Sequence, residues 1–232
     1  MEKSVKERIV DILDNTFKIL DNCYKNNGEA LGKADYNASG SRIIFPCYSD
    51  GKRRISEQEL RFVFVEQFLQ YCNDNDTKWD AYYSVETPTK FKYRLTNAGE
   101  TKNKKQEKPH KTEGDDGQSA MVDVCIHDKS GTRLCLIEFK AGNPDKFCYV
   151  KDLVKLYEER ELGFFVQLLE SQNSGTQKSI KTKIKEDLKD LNYVCHTLPS
   201  EKCNSNYQGT EYLSKDKISK KGWEQWKTTV EI

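Results

Sequence analysis

Residues 119–141, SAMVDVCIHDKSGTRLCLIEFKA, constrain the fold of this chain more than any other stretch. Two runs of strand-forming residues flank Asp128-Lys129-Ser130-Gly131-Thr132, a short polar segment of the kind that closes an antiparallel hairpin. A turn centred on Ser130 and Gly131 sets Asp123 directly opposite Glu138. Side chains alternate along a strand, so Met121, Asp123, Cys125, Leu134, Leu136, Glu138 and Lys140 are expected on one face. Val122, Val124, Ile126, Cys135, Ile137 and Phe139 are expected on the other.

Two carboxylates facing each other at about 5 Å repel by roughly 3 kcal/mol at an effective dielectric near 20. Lys140 can neutralise one of them as an ordinary ion pair. The neighbouring Met121, Cys125, Leu134 and Leu136 make this face too apolar for a solvated charge cluster, and a divalent cation answers better. Hard carboxylate oxygens suit Mg²⁺ or Mn²⁺, which keep coordination positions for water and a phosphate. Lys140 then stands beside them as a donor.

Asp123, fourteen residues, then Glu138-Phe139-Lys140 resembles the D-x(n)-E-x-K signature of the PD-(D/E)xK nuclease superfamily, the restriction-endonuclease-like phosphodiesterases. The resemblance covers the core of the chain, and Val122 stands where many members carry proline. It implies an α/β fold with a restriction-endonuclease-like core (αβββαβ), a mixed central sheet flanked by helices. It implies a nuclease acting on nucleic acid, DNA foremost, with Asp123 and Glu138 holding Mg²⁺ or Mn²⁺ and Lys140 serving the chemistry. Double-strand cutting by a one-site domain implies a homodimer by the same analogy.

A second element bears on this site. Ser56-Glu57-Gln58-Glu59 has the pattern of a capping box, and the helix it opens continues through Leu60, Phe62, Val63, Phe64, Val65 and Phe68 to about Cys72. Apolar nearly all round, this helix is expected to be buried on more than one side. Glu57-Gln58-Glu59-Leu60 resembles the E-x-E-L start of archaeal Holliday-junction resolvases of the superfamily, which implies Glu57 as a further site acid. On the residues alone, Glu59 is an equal candidate, and both suit a helix first turn through the dipole.

The other elements follow from periodicity. Residues 3–24 carry Val5, Ile9, Ile12, Leu13, Phe17, Leu20 and Tyr24 at helical spacing and read, with the loop to about residue 50, as a helical scaffold. Residues 81–93 have strand composition interrupted at Pro88 and are expected beside the hairpin, with Glu86 as an edge charge or a further site acid. A helix is expected from about Phe147 to Arg160, a buried strand at 163–169, a lysine-rich helix from about Ser179 to Leu191 and a strand at 193–198. A strand, helix and strand of these lengths predict a right-handed parallel connection. Gln167 is a polar residue inside a strand, with a role either in the site or at an edge.

Composition sets the limits. The 232 residues, 36% hydrophobic and 32% charged, suit a single globular domain. The absence of a long apolar run and the charged start MEKSVKERIV predict a cytoplasmic protein with no membrane association. Net charge of +1 gives no overall attraction to nucleic acid, but Lys90 to Lys111 carries eight Lys or Arg against Glu100 and Glu107. That segment reads either as part of a solvated, flexible loop over 97–118 or as a phosphate-attracting one, with Lys90 and Lys92 as candidate contacts. Lys151 and Lys155, one helical turn apart, are candidate contacts too, or ordinary solvated lysines. Trp223 and Trp226, which follow Lys215, Lys217, Lys220 and Lys221, read as base-stacking residues or as the anchor of a terminal helix. The eight cysteines form no CxxC pair and read as reduced core residues, with a zinc site at Cys195, His196 and Cys203 as a weaker alternative.

Overall fold

The computed structural model describes residues 3–26, 41–74, 76, 78–94, 110–112, 117–170, 173–184, 191–199 and 209–213. Its elements are α1 (Val5–Asn26), α2 (Glu57–Asn73), β1 (Ala81–Arg94), β2 (His110–Lys111), β3 (Gln118–Asp128), β4 (Arg133–Ala141), α3 (Lys146–Glu159), β5 (Leu162–Leu169), α4 (Ser174–Ile184), β6 (Asn192–Thr197) and β7 (Gly209–Leu213). The expected loop at 28–40, residues 185–190 of the lysine-rich helix, Cys203, Trp223 and Trp226 lie outside the described residues.

The molecule is α/β, with one mixed seven-stranded sheet in the order β2-β1-β3-β4-β5-β6-β7. β3 runs antiparallel to both its neighbours, β1 and β4, while β4, β5 and β6 run parallel and β7 returns antiparallel. The parallel order follows from the chain: α3 carries it from β4 to β5 and α4 from β5 to β6, as the continuous apolar strand at 163–169 requires. The second helix is Ser174–Ile184, five residues earlier at its start than periodicity predicts, because Asn173 Oδ1 accepts the Thr176 N–H and begins the turn there.

The two faces of the sheet have separate cores. On one, Ile9, Leu13, Phe17 and Leu20 of α1 and Leu60, Val63, Phe64 and Phe68 of α2 pack on Val124, Ile126, Ile137 and Phe139. On the other, Tyr149, Leu153 and Leu156 of α3 and Ile180 of α4 cover Cys125, Leu136, Phe165 and Tyr193. Each of these side chains, fully buried, is stabilising by roughly 1.5–3 kcal/mol relative to exposure. α2 buries a single stripe of Leu60, Val63, Phe64, Gln67, Phe68 and Tyr71, and Phe62 is 57% exposed, so the helix is not buried all round as its composition predicts. Helical geometry decides this: residues at i+3 and i+4 share a face, and those between them do not.

Two further expectations change. β1 continues through Pro88, pairing it with Met121 and slipping register only between Pro88 and Lys92. A strand next to the sheet edge tolerates proline because the missing N–H faces outward. Val122 joins Cys125 and Leu136 in the α3-side core instead of lying with Val124. The alternation of β3 therefore slips beside Asp123. The same place is marked on β1, where Glu86 has φ of 47° and drops out of the ladder between Val85↔Val124 and Thr87↔Val122.

Among the described residues no helix is long and apolar enough to cross a membrane, and no disulfide forms.

Candidate functional site

The hairpin forms as its sequence dictates. Asp128 Oδ1 accepts the N–H groups of Ser130 and Thr132, and Gly131 takes φ of 83°, a conformation that costs other residues a clash at Cβ. β3 and β4 pair as Val124↔Ile137, Cys125↔Leu136 and Ile126↔Cys135, the predicted register, with a one-residue slip next to the turn. Asp123 and Glu138 are the next residues of this register, beyond its last paired positions. There the Asp123 carboxylate takes over from the ladder: its Oδ2 accepts the Phe139 N–H at 2.7 Å. The two strands separate at the acids.

Because alternation slips at Asp123, the two carboxylates reach different helices. Asp123 Oδ1 accepts from Arg61 Nη2 of α2 at 2.5 Å, and Arg61 Nη1 donates to Glu86 at 2.6 Å. Glu138, only 2% exposed, turns to α3, where Lys155 Nζ stands 2.5 Å from its Oε1. Lys155 also lies 2.9 Å from Asp152 Oδ1 and donates to the Met121 carbonyl. Lys140 reaches both sides, 2.8 Å from Asp152 Oδ2 and 3.4 Å from Glu57 Oε1. An alternating chain of charge results: Glu57, Lys140, Asp152, Lys155, Glu138. Glu86, Arg61 and Asp123 form a second, shorter one.

Electrostatics follow from burial and from this order. Desolvation raises the Glu138 carboxyl well above its ordinary value, Asp152 adds to the rise, and Lys155 opposes it. For Lys140, burial acts to lower the pKa, but Asp152 first and Glu57 after it outweigh that, so the ammonium is held above its ordinary value. Lys155 behaves likewise, with burial outweighed by Glu138 and Asp152.

The predicted site residues divide clearly. Glu57, Lys140 and Glu138 stand in the longer charge chain and Asp123 with Glu86 in the shorter one through Arg61, so the two strand acids do not share the single face that alternation predicts. Glu59 stands in neither chain. Its carboxylate accepts the Ser56 N–H at 2.8 Å and the Ser56 hydroxyl and pairs with Arg54 at 2.9 Å, closing the capping box. Lys155 is neither solvated nor on a surface groove but buried inside the cluster. Lys90 is taken up at the other end of α3, where its N–H donates to Glu159 and its ammonium pairs with Glu161. Lys92 offers its carbonyl to Thr112, and Lys151 is half-buried on α3.

Gln167 sits beside Lys140 in the β4–β5 register, fully buried, donating to the Gly142 carbonyl and to the Tyr149 hydroxyl and accepting from Tyr193 at 2.5 Å. It packs behind the site. The zinc alternative fails on strand geometry: Cys195 faces the α3-side core, while His196 stacks on Phe17 of α1 and pairs with Asp21.

Asp152 and Arg61 are absent from the sequence prediction. Asp152 had a legible signal, because 149, 152, 153 and 156 form one helical stripe whose other members are Tyr149, Leu153 and Leu156. An acid in an apolar stripe is buried, and a buried acid needs a partner. Arg61 had none, since its partner Asp123 is 62 residues away.

The donor set fits a divalent cation in charge and chemistry. Five carboxylates, Glu57, Glu86, Asp123, Glu138 and Asp152, meet three cations, Arg61, Lys140 and Lys155, which leaves an excess of two negative charges. The buried oxygens Glu138 Oε1 and Asp152 Oδ2 face ammonium groups yet receive no aligned hydrogen bond. The acids are spaced by the bases between them, and among the described residues no three His, Cys, Asp or Glu side chains close on one point. Comparisons of the chain with protein-family models, curated proteins and solved structures found no match.

Proposed function

We propose that this protein is a metal-dependent nuclease with a restriction-endonuclease-like core, hydrolysing phosphodiester bonds of nucleic acid, DNA foremost. The observation that carries the reading is the position of Asp123, Glu138 and Lys140 where the pairing of β3 with β4 ends, with Glu57 of α2 beside Lys140. Support also comes from the strand order: an antiparallel β1-β3-β4 unit continued in parallel by β5 and β6, with helices on both faces.

In this reading Asp123 and Glu138 would hold Mg²⁺ or Mn²⁺, whose chemistry there would be to acidify a bound water and to polarise the scissile phosphate. Lys140, kept protonated by Asp152 and Glu57, presents positive charge to the attacking water and to the phosphoryl oxygens as negative charge develops there. Glu57 orients the Lys140 ammonium from the α2 side. The apolar Leu136 and Phe139 around the acids keep bulk water out, which strengthens each of these interactions.

Incubation of the protein with supercoiled plasmid, linear duplex, single-stranded DNA and RNA in Mg²⁺, Mn²⁺ or EDTA tests this. Metal-dependent cleavage is expected, reduced at least about a hundredfold by Asp123→Ala, Glu138→Ala or Lys140→Ala in proteins that remain folded. Wild-type rates in Asp123→Ala would end the assignment.

One observation favours a second reading, a nuclease-fold protein that binds nucleic acid or a protein partner without cutting. Every acid of the cluster already has a cation of the chain beside it. Such a binder holds its partner equally well in EDTA and gains no thermal stability from Mg²⁺ or Mn²⁺.

A further inference from the structure

Each of the two acids read as metal ligands shares a cation with another acid. Arg61 bridges Asp123 to Glu86, and Lys155 bridges Glu138 to Asp152. The second acid of each pair is spare in the sense that it is not read as a metal ligand, although Asp152 also pairs with Lys140 at 2.8 Å. Glu86 is exposed and held at φ of 47°, in backbone that non-glycine residues adopt only where the surroundings impose it. Asp152 is buried, and its Oδ2 receives no aligned hydrogen bond.

We propose that Arg61 and Lys155 are resident counter-ions that occupy Asp123 and Glu138 until a divalent cation displaces them onto the spare carboxylates Glu86 and Asp152. The proposal rests on the metal-binding reading of Asp123 and Glu138. Both movements are short, because each cation already touches its destination: Arg61 lies 2.6 Å from Glu86 and Lys155 lies 2.9 Å from Asp152. Without the cations, the metal-free protein would hold the buried Glu138 and the half-buried Asp123 with nothing to offset either carboxylate. Without the spare acids, metal binding would leave Arg61 and Lys155 beside a new positive charge with no partner. The arrangement keeps the net charge of the cluster near zero once metal is bound, so metal affinity is set by the exchange and by more than the two ligands.

A change in affinity from removing any nearby charge is a weak test, so a double-mutant cycle is needed. Mn²⁺ alone is titrated into the full chain, read by loss of its free electron-spin-resonance signal and by thermal shift, for the wild type, Lys155→Gln, Asp152→Asn and the double variant. Lys155→Gln is expected to bind Mn²⁺ at least tenfold more tightly than the wild type. Asp152→Asn is expected to bind at least tenfold more weakly. In the Lys155→Gln background, Asp152→Asn has little effect, because no ammonium is left to receive. If Asp152→Asn weakens binding equally in both backgrounds, Asp152 acts by its own charge or as a ligand and the exchange is wrong. If Lys155→Gln binds no more tightly while the wild type binds Mn²⁺, the exchange is wrong and the metal site stands. Silence in the wild type with binding in Lys155→Gln supports the exchange in its tightest form, and silence in both ends the metal reading and the exchange together. Should Lys155→Gln not fold, Glu86→Gln and Arg61→Gln form the same cycle on Asp123, with the same expected pattern.

Discussion

Helix α3 carries buried acids at two places, and they are satisfied in opposite ways. At its carboxyl end Glu159 accepts from the N–H groups of Lys90 and Phe91, from the Tyr93 hydroxyl and from Arg133. Four donors from two strands converge on one carboxylate, and the result ties β1 and β4 to the helix. Nearer the start, Asp152 meets two lysines, and neither it nor Glu138 has all its oxygens hydrogen-bonded. One carboxylate has a full set of donors, and the other pair is matched in charge by its two lysines but leaves oxygens without an aligned donor. A buried acid with a complete set of donors is structural, because any other ligand must displace several of them at once. A buried acid with an incomplete set has somewhere for a ligand to bind.

Stability measurements sharpen that contrast. Glu159→Ala strands Arg133 and two backbone N–H groups in the interior and is expected to cost about 3–5 kcal/mol in chemical denaturation, with no change in Mn²⁺ binding. Glu138→Gln, which lowers the charge of an acid-rich cluster, is expected within about 1 kcal/mol of the wild type while abolishing Mn²⁺ binding. Similar costs for the two would erase the distinction drawn between them.

The pH dependence is next in size. Burial and then Asp152 push the Glu138 carboxyl above its ordinary value of 4.5, against the opposing pull of Lys155, whereas the unfolded chain ionises at the ordinary value. In that window the native state binds more protons, so this group's contribution is fully present below pH 4.5 and is lost as pH rises through the folded pKa. The metal-free wild type is expected to lose up to about 1.4 kcal/mol per pH unit relative to Glu138→Gln across the window. Parallel stability curves for the two would show that Lys155 keeps Glu138 ionised. The smallest effect belongs to the acid that left the site: Ser56→Ala, which removes the cap that Glu59 closes, is expected to cost about 1 kcal/mol and to leave cleavage unchanged.

Much of this was legible beforehand. Period-two and period-3.6 patterns located the hairpin, its register, both helices that flank the site and the parallel strand after it, because those patterns are the local chain geometry itself. The capping box at Ser56 and Glu59 was legible too, since both partners lie within one turn; what the pattern alone could not do was choose between Glu57 and Glu59. The capping geometry chose, by using Glu59 up. Lys155 was misjudged for a related reason. Lysine is mostly exposed, and the spacing to Lys151 suggested one solvated face, whereas Lys155 belongs with Asp152 on the side of α3 that meets the sheet.

The sequence by itself determined the α/β order, the antiparallel pairing of β3 with β4, and the placing of Asp123, Glu138 and Lys140 at one end of that pair. Tertiary structure alone decided which helix each acid answers to. The slip in alternation at Asp123, set against the backbone of Glu86, turns one carboxylate toward Arg61 of α2 and leaves the other to Lys155 of α3. A one-residue slip exchanges the faces of a strand, and here it coincides with the positive-φ Glu86 directly across on the neighbouring strand.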